Sequence, residues 1–338
     1  MRNTLLIILS LAISLLMVEI GSRVAGFEPR RLAVNDFFVD GLETTWSTPD
    51  SELGWVNKPG ISVSMEYGNA RMTFWDKARR ASRETETVPP HKASVMIVGG
   101  SNAQAYGVMD QESFAYKLAK RFPNLWVENF GNGGYSTVQA LLLSERVLSD
   151  IYAANKPDLI VLTFADSHVN RNVSDQSWVY SISDSQGRYV APPHFRLVDG
   201  ALVFTPFKTI EPWILETSSA VLTLLHNIWL QSVVYNTGDQ GIQVTRMVFE
   251  KFKALANVSG AELLVAVLED RAQMSDSVFD GLSLNVIDCS GYEREDPNDY
   301  LLGGNGHPNA RYHTHFADCI GGWIEKQSAF EASAITGE

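Results

Sequence analysis

Four short stretches of this chain carry side chains that could do chemistry. In "VMIVGGSNAQAYGV" an apolar run ends in Gly99 and Gly100 and delivers Ser101. A serine hydroxyl becomes a nucleophile only with a base within hydrogen-bond reach. Glycines beside it let the backbone turn sharply and leave room for a substrate, and the N–H after such a turn can help hold an oxyanion. In "ENFGNGGYST" a second apolar run ends in glycines, and Gly134 could offer another backbone N–H. In "TFADSHVNRNV" a third run ends in Asp166, Ser167, His168, Asn170, Arg171 and Asn172, all able to hydrogen-bond. In "GGNGHPNARYH" His307 precedes a proline at an expected first helical position, where an imidazole is free to point into a site. Taken singly, the first two stretches also read as tight turns, the third as a solvated loop, and the lone histidine more readily as a surface residue.

The elements that must position these residues alternate. "SVMIVGG", "LWVENF", "PDLIVLTFAD", "AELLVAVLE" and "LNVIDC" read as strands. "SFAYKLAKRF", "STVQALLLSERVLSDIYAAN", "VTRMVFEKFKALANV" and the residues after "GHPNARYH" read as helices, the second capped by Ser136 or Thr137. Such alternation predicts a mostly parallel sheet covered on both faces. Ligands bind outside the carboxyl ends of these strands, where Ser101, Asp166 and Glu269 fall. Residues 174–240 break the rhythm as an insertion with one expected helix, "SSAVLTLLHNIWLQSVVY". Its aromatics Trp178, Tyr180, Tyr189, Phe195, Trp213 and Trp229 read first as the insertion's own core and second as a cap over the site. Residues 28–92 are a turn-rich lead-in that ends in a charged surface linker, "DKARRASRETETVPPHK".

The chain has 338 residues, 45% of them apolar and 20% charged, an ordinary globular balance. A net charge of -12 argues against nucleic acid as a partner. The uncharged apolar run Thr4–Val18 is shorter than the roughly 20 residues of a full span and matches the core of an export signal. The Val24-Ala25-Gly26 cleavage site is crowded by Arg23 and Glu19, which favours a retained anchor over a cleaved peptide across residues 1–27. Cys289 and Cys319 are the only cysteines. In an exported chain they read as one disulfide, the alternative being two buried thiols. His307, His313 and His315 do not share a helical face, so no zinc site is expected. His313 and His315 read as surface or packing residues of the last helix.

In their order, the four stretches resemble the SGNH hydrolase (GDSL-type) superfamily, over about residues 93–326. "ELGWVNKPG" and "VEIGSRVAGFEP" extend the likeness to envelope-anchored members. The resemblance implies a three-layer, flavodoxin-like α/β domain over 93–330, with Ser101 as nucleophile, His307 as base and Gly134 in the oxyanion hole. The chain departs from the family at three places. Gly100 replaces the usual Asp before the serine. The third block lacks its Asn-Asp pair, which leaves Asp166, His168 or Asn170 as the side-chain donor; exported members carry a similar "H..RN" stretch. Asn305 and Gly304 stand where an Asp would orient the histidine, so Asn305, Asp299 or a backbone carbonyl must take that part. "GGSNA" also nearly fits the G-x-S-x-G elbow of α/β-hydrolases, but that elbow follows several strands and this serine follows the first.

The resemblance implies a serine esterase or deacylase in the cell envelope, its domain outside the cytoplasm, acting without metal or organic cofactor. An acylated exported glycan is the expected substrate. Two other readings stay open: an O-acyltransferase using the same residues, and a weakly active glycan-binding or assembly protein.

Overall fold

The computed structural model describes residues 2–31, 46–64, 70–153, 155–182, 187–234, 240–269, 278–290, 301–302, 306–327 and 330. The chain begins with helix α1 (Arg2–Val24), of which Asn3–Val24 is long and apolar enough to cross a membrane. The lead-in forms two antiparallel pairs, β1 (Ser47–Asp50) with β2 (Gly54–Asn57) and β3 (Ile61–Ser64) with β4 (Arg71–Phe74).

The central domain starts with β5 (Ala93–Val98), the short helix α2 (Ser101–Gln104), α3 (Phe114–Arg121), β6 (Leu125–Asn129), α4 (Thr137–Asp150) and β7 (Leu159–Phe164). After β7 come α5 (Ser167–Asn172) and α6 (Gln176–Ser181). The insertion adds the pairs β8 (Tyr189–Ala191) with β11 (Lys208–Ile210) and β9 (His194–Val198) with β10 (Ala201–Thr205), then α7 (Ala220–Trp229). The domain resumes with α8 (Gly241–Ser259), β12 (Glu262–Val267), β13 (Asn285–Asp288) and α9 (Ala310–Ile324).

One five-stranded sheet, ordered β13-β12-β7-β5-β6, holds the site. All its pairings are parallel. Counting only its own strands, the order is 2-1-3-4-5, the flavodoxin-like arrangement. Every residue of β5 and β7 is buried, which is why these strands read as unbroken apolar runs rather than alternating ones. Alternate residues still go to opposite faces. Met96 and Val98 pack with Leu141 of α4 and Phe249 of α8. Val95 and Ile97 pack with Leu118 of α3 and Phe316 of α9. The result is three layers, with the chain reversing direction across the sheet between β5 and β7. Crevices at such reversals are the usual ligand sites of these sheets.

Two expectations for the ends of elements change. The stretch Asp76–Lys92 is no surface linker along its first half, because Arg79, Arg80, Ala81 and Ser82 are buried. Arg80 bridges Phe74 on one side and Asn129 at the end of β6 on the other, so this segment covers the edge of the sheet. Charge patterning alone cannot show such a use. Pro308 is not the first helical residue of α9 either. Asn309 is the cap, its Oδ1 accepting from the N–H groups of Arg311 and Tyr312, and Pro308 pairs with Leu301.

Cys289 and Cys319 form a disulfide with a Cα–Cα distance of 5.7 Å, joining the end of β13 to α9.

Candidate active site

The turn after β5 is built from close approaches. Gly99 has φ 148°, and a β-carbon there would come within 1.9 Å of Thr163 Oγ1 on the neighbouring strand. No other residue type fits. The chain passes through Gly100 and opens α2 with Ser101. The rest of this turn is pinned both by the end of β6 and by the lead-in. Asn129 Nδ2 donates to the Ala103 carbonyl at 2.7 Å, and Gln104 Nε2 donates to Asn57 Oδ1 at 2.6 Å. Buried Arg80 donates from Nε to the Gln104 carbonyl (3.1 Å) and from Nη2 to the Val108 carbonyl (3.0 Å), and pairs with Asp110. Burial pushes its guanidinium down to about 9, which leaves it charged at neutral pH.

His307 meets Ser101 from the far end of the sequence. Its Nε2 lies 2.9 Å from Ser101 Oγ. Its carbonyl accepts from Leu302 N at 2.7 Å, and the ring of Tyr106 sits 4.8 Å from the imidazole, centroid to centroid. Asn305 and Asp299, the side chains expected to orient it, lie outside the described residues.

The segment after β7 supplies the opposite wall. His168 is buried, and its Nε2 stands 2.9 Å from where a β-carbon on Gly100 would be. Burial, with the Arg171 charge adding to it, depresses its imidazole to about 3. The ring is therefore neutral. Its Nδ1 is 3.4 Å from Thr137 Oγ1; with that hydroxyl donating, the ring proton sits on Nε2, facing the Ser101 turn.

Serine, both histidines, Asn102, Arg171 and Glu269 line one cavity of about 230 Å³ at the carboxyl ends of the strands. Arg171 is held by the face of Trp178, 4.2 Å from its guanidinium carbon, and donates to the Tyr135 carbonyl at 3.4 Å. Glu269 accepts from Asn102 Nδ2 at 3.4 Å. Burial raises the Glu269 carboxyl above its ordinary value.

The remaining predicted positions stand apart from this cavity. Gly134 is buried in the turn between β6 and α4, with φ 75°, and does not line the cavity. That turn is tied to the nucleophile's own, since Asn132 N donates to the Gly99 carbonyl at 3.1 Å. Asn170 is exposed. Asp166 is half-buried just outside the cavity, and burial and the nearby Glu269 raise it to about 6. None of the insertion aromatics named above lines the cavity. Tyr189 and Phe195 are buried within the insertion.

No family model matches the chain, and no curated protein matches it. Solved structures do. The fold is similar to an α/β hydrolase enzyme from the metagenome of Lake Arreo, Spain, at 13% identity, 68% of this chain and 94% of that one, TM-score 0.37. It is similar to a member of the lipolytic protein G-D-S-L family from Veillonella parvula, at 12% identity, 69% and 99% coverage, TM-score 0.35. It is also similar to an acetyl-xylooligosaccharide esterase from a Geobacillus species, at 10% identity, 69% and 94% coverage, TM-score 0.36. What the site can do rests on its own atoms.

Three residues of this centre escape a reading of the sequence. Arg171 sits in the third stretch but gives no signal that sets it above its five polar neighbours. Tyr106 and Arg80 touch the site only through the folded chain. The nearest sequence signal is a paired arginine, Arg79-Arg80, just before an alternating domain begins.

Proposed function

We propose that this protein is a serine ester hydrolase of the cell envelope. The observation that carries this reading is the 2.9 Å contact between Ser101 Oγ and His307 Nε2 at a cavity where parallel strands end. Ser101 Oγ attacks the acyl carbon while His307 Nε2 takes its proton. The tetrahedral oxyanion is held by the Ser101 backbone N–H and by His168 Nε2–H, which takes the part of the family's missing asparagine; Gly134, outside the cavity, serves the turn beside it. Asn170 is too exposed for that part, and Asp166, once ionised, would repel the oxyanion. Collapse expels the alcohol, which receives the proton from His307. Water then attacks the acyl-serine and gives a proton to His307; collapse of the second tetrahedral intermediate breaks the acyl–Oγ bond, His307 returns the proton to Ser101 Oγ, and the acid leaves.

The cavity is smaller than the 300–1,000 Å³ usual for small-molecule sites, and it carries charged and amide side chains. It suits a short acyl group such as acetyl on a polar alcohol, as in an acylated exported glycan. The disulfide suits an oxidising compartment, and α1 has the length and composition of a membrane anchor.

The test is labelling of the full-length protein in detergent with a fluorophosphonate probe. Labelling should appear in the wild type and vanish in Ser101→Ala and His307→Ala. Labelling that survives in Ser101→Ala, or none in folded wild type, overturns the reading.

A further inference from the structure

The surface next to α1 has an unusual composition. From Pro212 to Gln231 the only Asp, Glu, Lys or Arg is Glu216. That carboxylate is fully buried, accepting from the Trp213 N–H at 2.9 Å and from the Tyr189 hydroxyl, and paired with His226 Nδ1 at 2.8 Å. What faces solvent carries no charge and is largely apolar, with only Thr217, Ser218 and Gln231 as exposed polar residues. In the turn before α7, Ile214 is 88% exposed and Leu215 65%. Leu225, Ile228 and Trp229 are exposed together, at the spacing that puts them on one face of α7. Scattered apolar residues on a surface need no explanation; a contiguous set without a charge does.

This patch is continuous with α1. Glu19 accepts from Ser219 Oγ (2.8 Å), Ala220 N (2.9 Å) and Val221 N (3.2 Å) at the start of α7. Arg23 donates to the Ser218 carbonyl at 2.9 Å. Arg30, just after α1, donates from its N–H to Thr223 Oγ1 at 2.9 Å and lays its guanidinium 3.5 Å from the Tyr189 ring centre. The apolar run of α1 ends at Val18, and Glu19 is the first charge after it, near one end of the stretch long enough to cross a membrane. The uncharged patch is bonded to the helix at that end. Tryptophans, here Trp213 and Trp229, favour a membrane interface.

We propose that the Trp213–Leu215 turn and the exposed face of α7 form a platform seated in the interfacial layer of a lipid bilayer, so that α1 holds the domain in one fixed pose rather than as a loose tether. This rests on α1 being a retained anchor. The occupant is lipid because the patch adjoins the one helix among the described residues that is long and apolar enough to lie in lipid.

The test uses full-length protein in bilayers of phosphatidylethanolamine and phosphatidylglycerol, with spin labels on Ile214→Cys, Ile228→Cys, Val258→Cys and Leu11→Cys in turn. The native cysteines are paired, so only the new thiol reacts. Labels at 214 and 228 should collide with oxygen several-fold more than with a water-soluble nickel chelate. The label at 258, on an exposed position of α8, should show the reverse. If 214 and 228 behave like 258 while 11 is in lipid, the anchor stands and the platform is overturned. Shielding of 214 and 228 from both reagents would mean that a protein surface covers the patch, and also overturns it. A water-exposed label at 11 would overturn the anchor, and the platform with it.

Discussion

His168 Nε2 stands 2.9 Å from the position of a β-carbon on Gly100, so the residue before Ser101 and the third-stretch histidine occupy one space between them. A side chain before the serine and an imidazole beside it exclude each other here. This gives a physical reason for a glycine rather than a larger residue just before the serine.

Gly100→Ala should therefore act mainly on the imidazole. The new methyl also meets the Tyr135 carbonyl at 3.3 Å, so the ring must move. Overpacking of this kind costs about 1–3 kcal/mol, readable as a lowered urea midpoint. Loss of one oxyanion donor costs about 10²–10³ in kcat, and His168→Ala should show that loss without the overpacking. Gln at 168 should recover part of kcat, because its amide can donate. If His168→Ala keeps wild-type kcat on a short-chain ester, His168 is not a donor.

Acid should destabilise this protein well above the range of ordinary carboxylates. Burial holds His168 and His313 at about 3 and His194 at about 4. Unfolded histidines titrate near 6.5. Between those values the unfolded chain binds more protons at these three sites, so stability falls as pH falls through the window. Asp166, raised to about 6, and Glu269, also raised, act the other way. The folded chain holds their protons above the ordinary carboxylate range, and stability from them is lost as pH rises. The three histidines carry the larger shifts and set the sign, so stability falls towards acid. Urea unfolding at pH 5 and 6.5 measures it. Asp166→Asn should make the acid loss steeper and raise stability at pH 7 relative to wild type. Equal midpoints at the two pH values would contradict this account of the three histidines.

The disulfide should matter to the whole domain. It closes a loop of 30 residues between β13 and α9, worth about 3–4 kcal/mol on the chain-entropy estimate. Reductant should lower the melting temperature in wild type and leave Cys289→Ala/Cys319→Ala unaffected. An unchanged wild-type melt under conditions that free both thiols would show that the bond constrains nothing.

The layers of this fold were legible because β5 and β7 are buried on both faces and so carry mostly apolar residues without a polar alternation. The helices announced themselves through amphipathic spacing and, for α4, a Ser136–Gln139 capping box. Even the disulfide followed from two cysteines and an apolar N-terminal run that reads as an export signal. What could not be read was mutual position. Six polar side chains follow β7 in sequence, and nothing local says that Asn170 points to water while His168 and Arg171 turn towards Ser101. The same limit hid the lead-in's role. Arg79 and Arg80 sit in a run of charges, and a run of charges normally lies in solvent; the carbonyls that make burial of Arg80 tolerable belong to residues 104 and 108.

Those carbonyls make Arg80 the most direct test of whether the lead-in builds the site. Its guanidinium is fully buried, bonds the Gln104 and Val108 carbonyls and pairs with Asp110. Removing the arginine leaves two buried carbonyls and the part-exposed Asp110 carboxylate without it, a cost of about 1–3 kcal/mol. Arg80→Met should lose that much in urea unfolding, whereas Arg80→Met with Asp110→Asn should recover part of it, because the stranded carboxylate is gone. Asp110 Oδ1 also accepts from Thr73 N at 2.9 Å, and an asparagine oxygen can keep that bond. The turn released by the change runs from Ser101 to Val108 and carries Tyr106 against the His307 ring. Fluorophosphonate labelling of the folded fraction should therefore slow in Arg80→Met and stay slow in the double variant, since neither restores the bonds to the two carbonyls. Normal labelling in the double variant would reduce Arg80 to a packing residue and separate the lead-in from the chemistry.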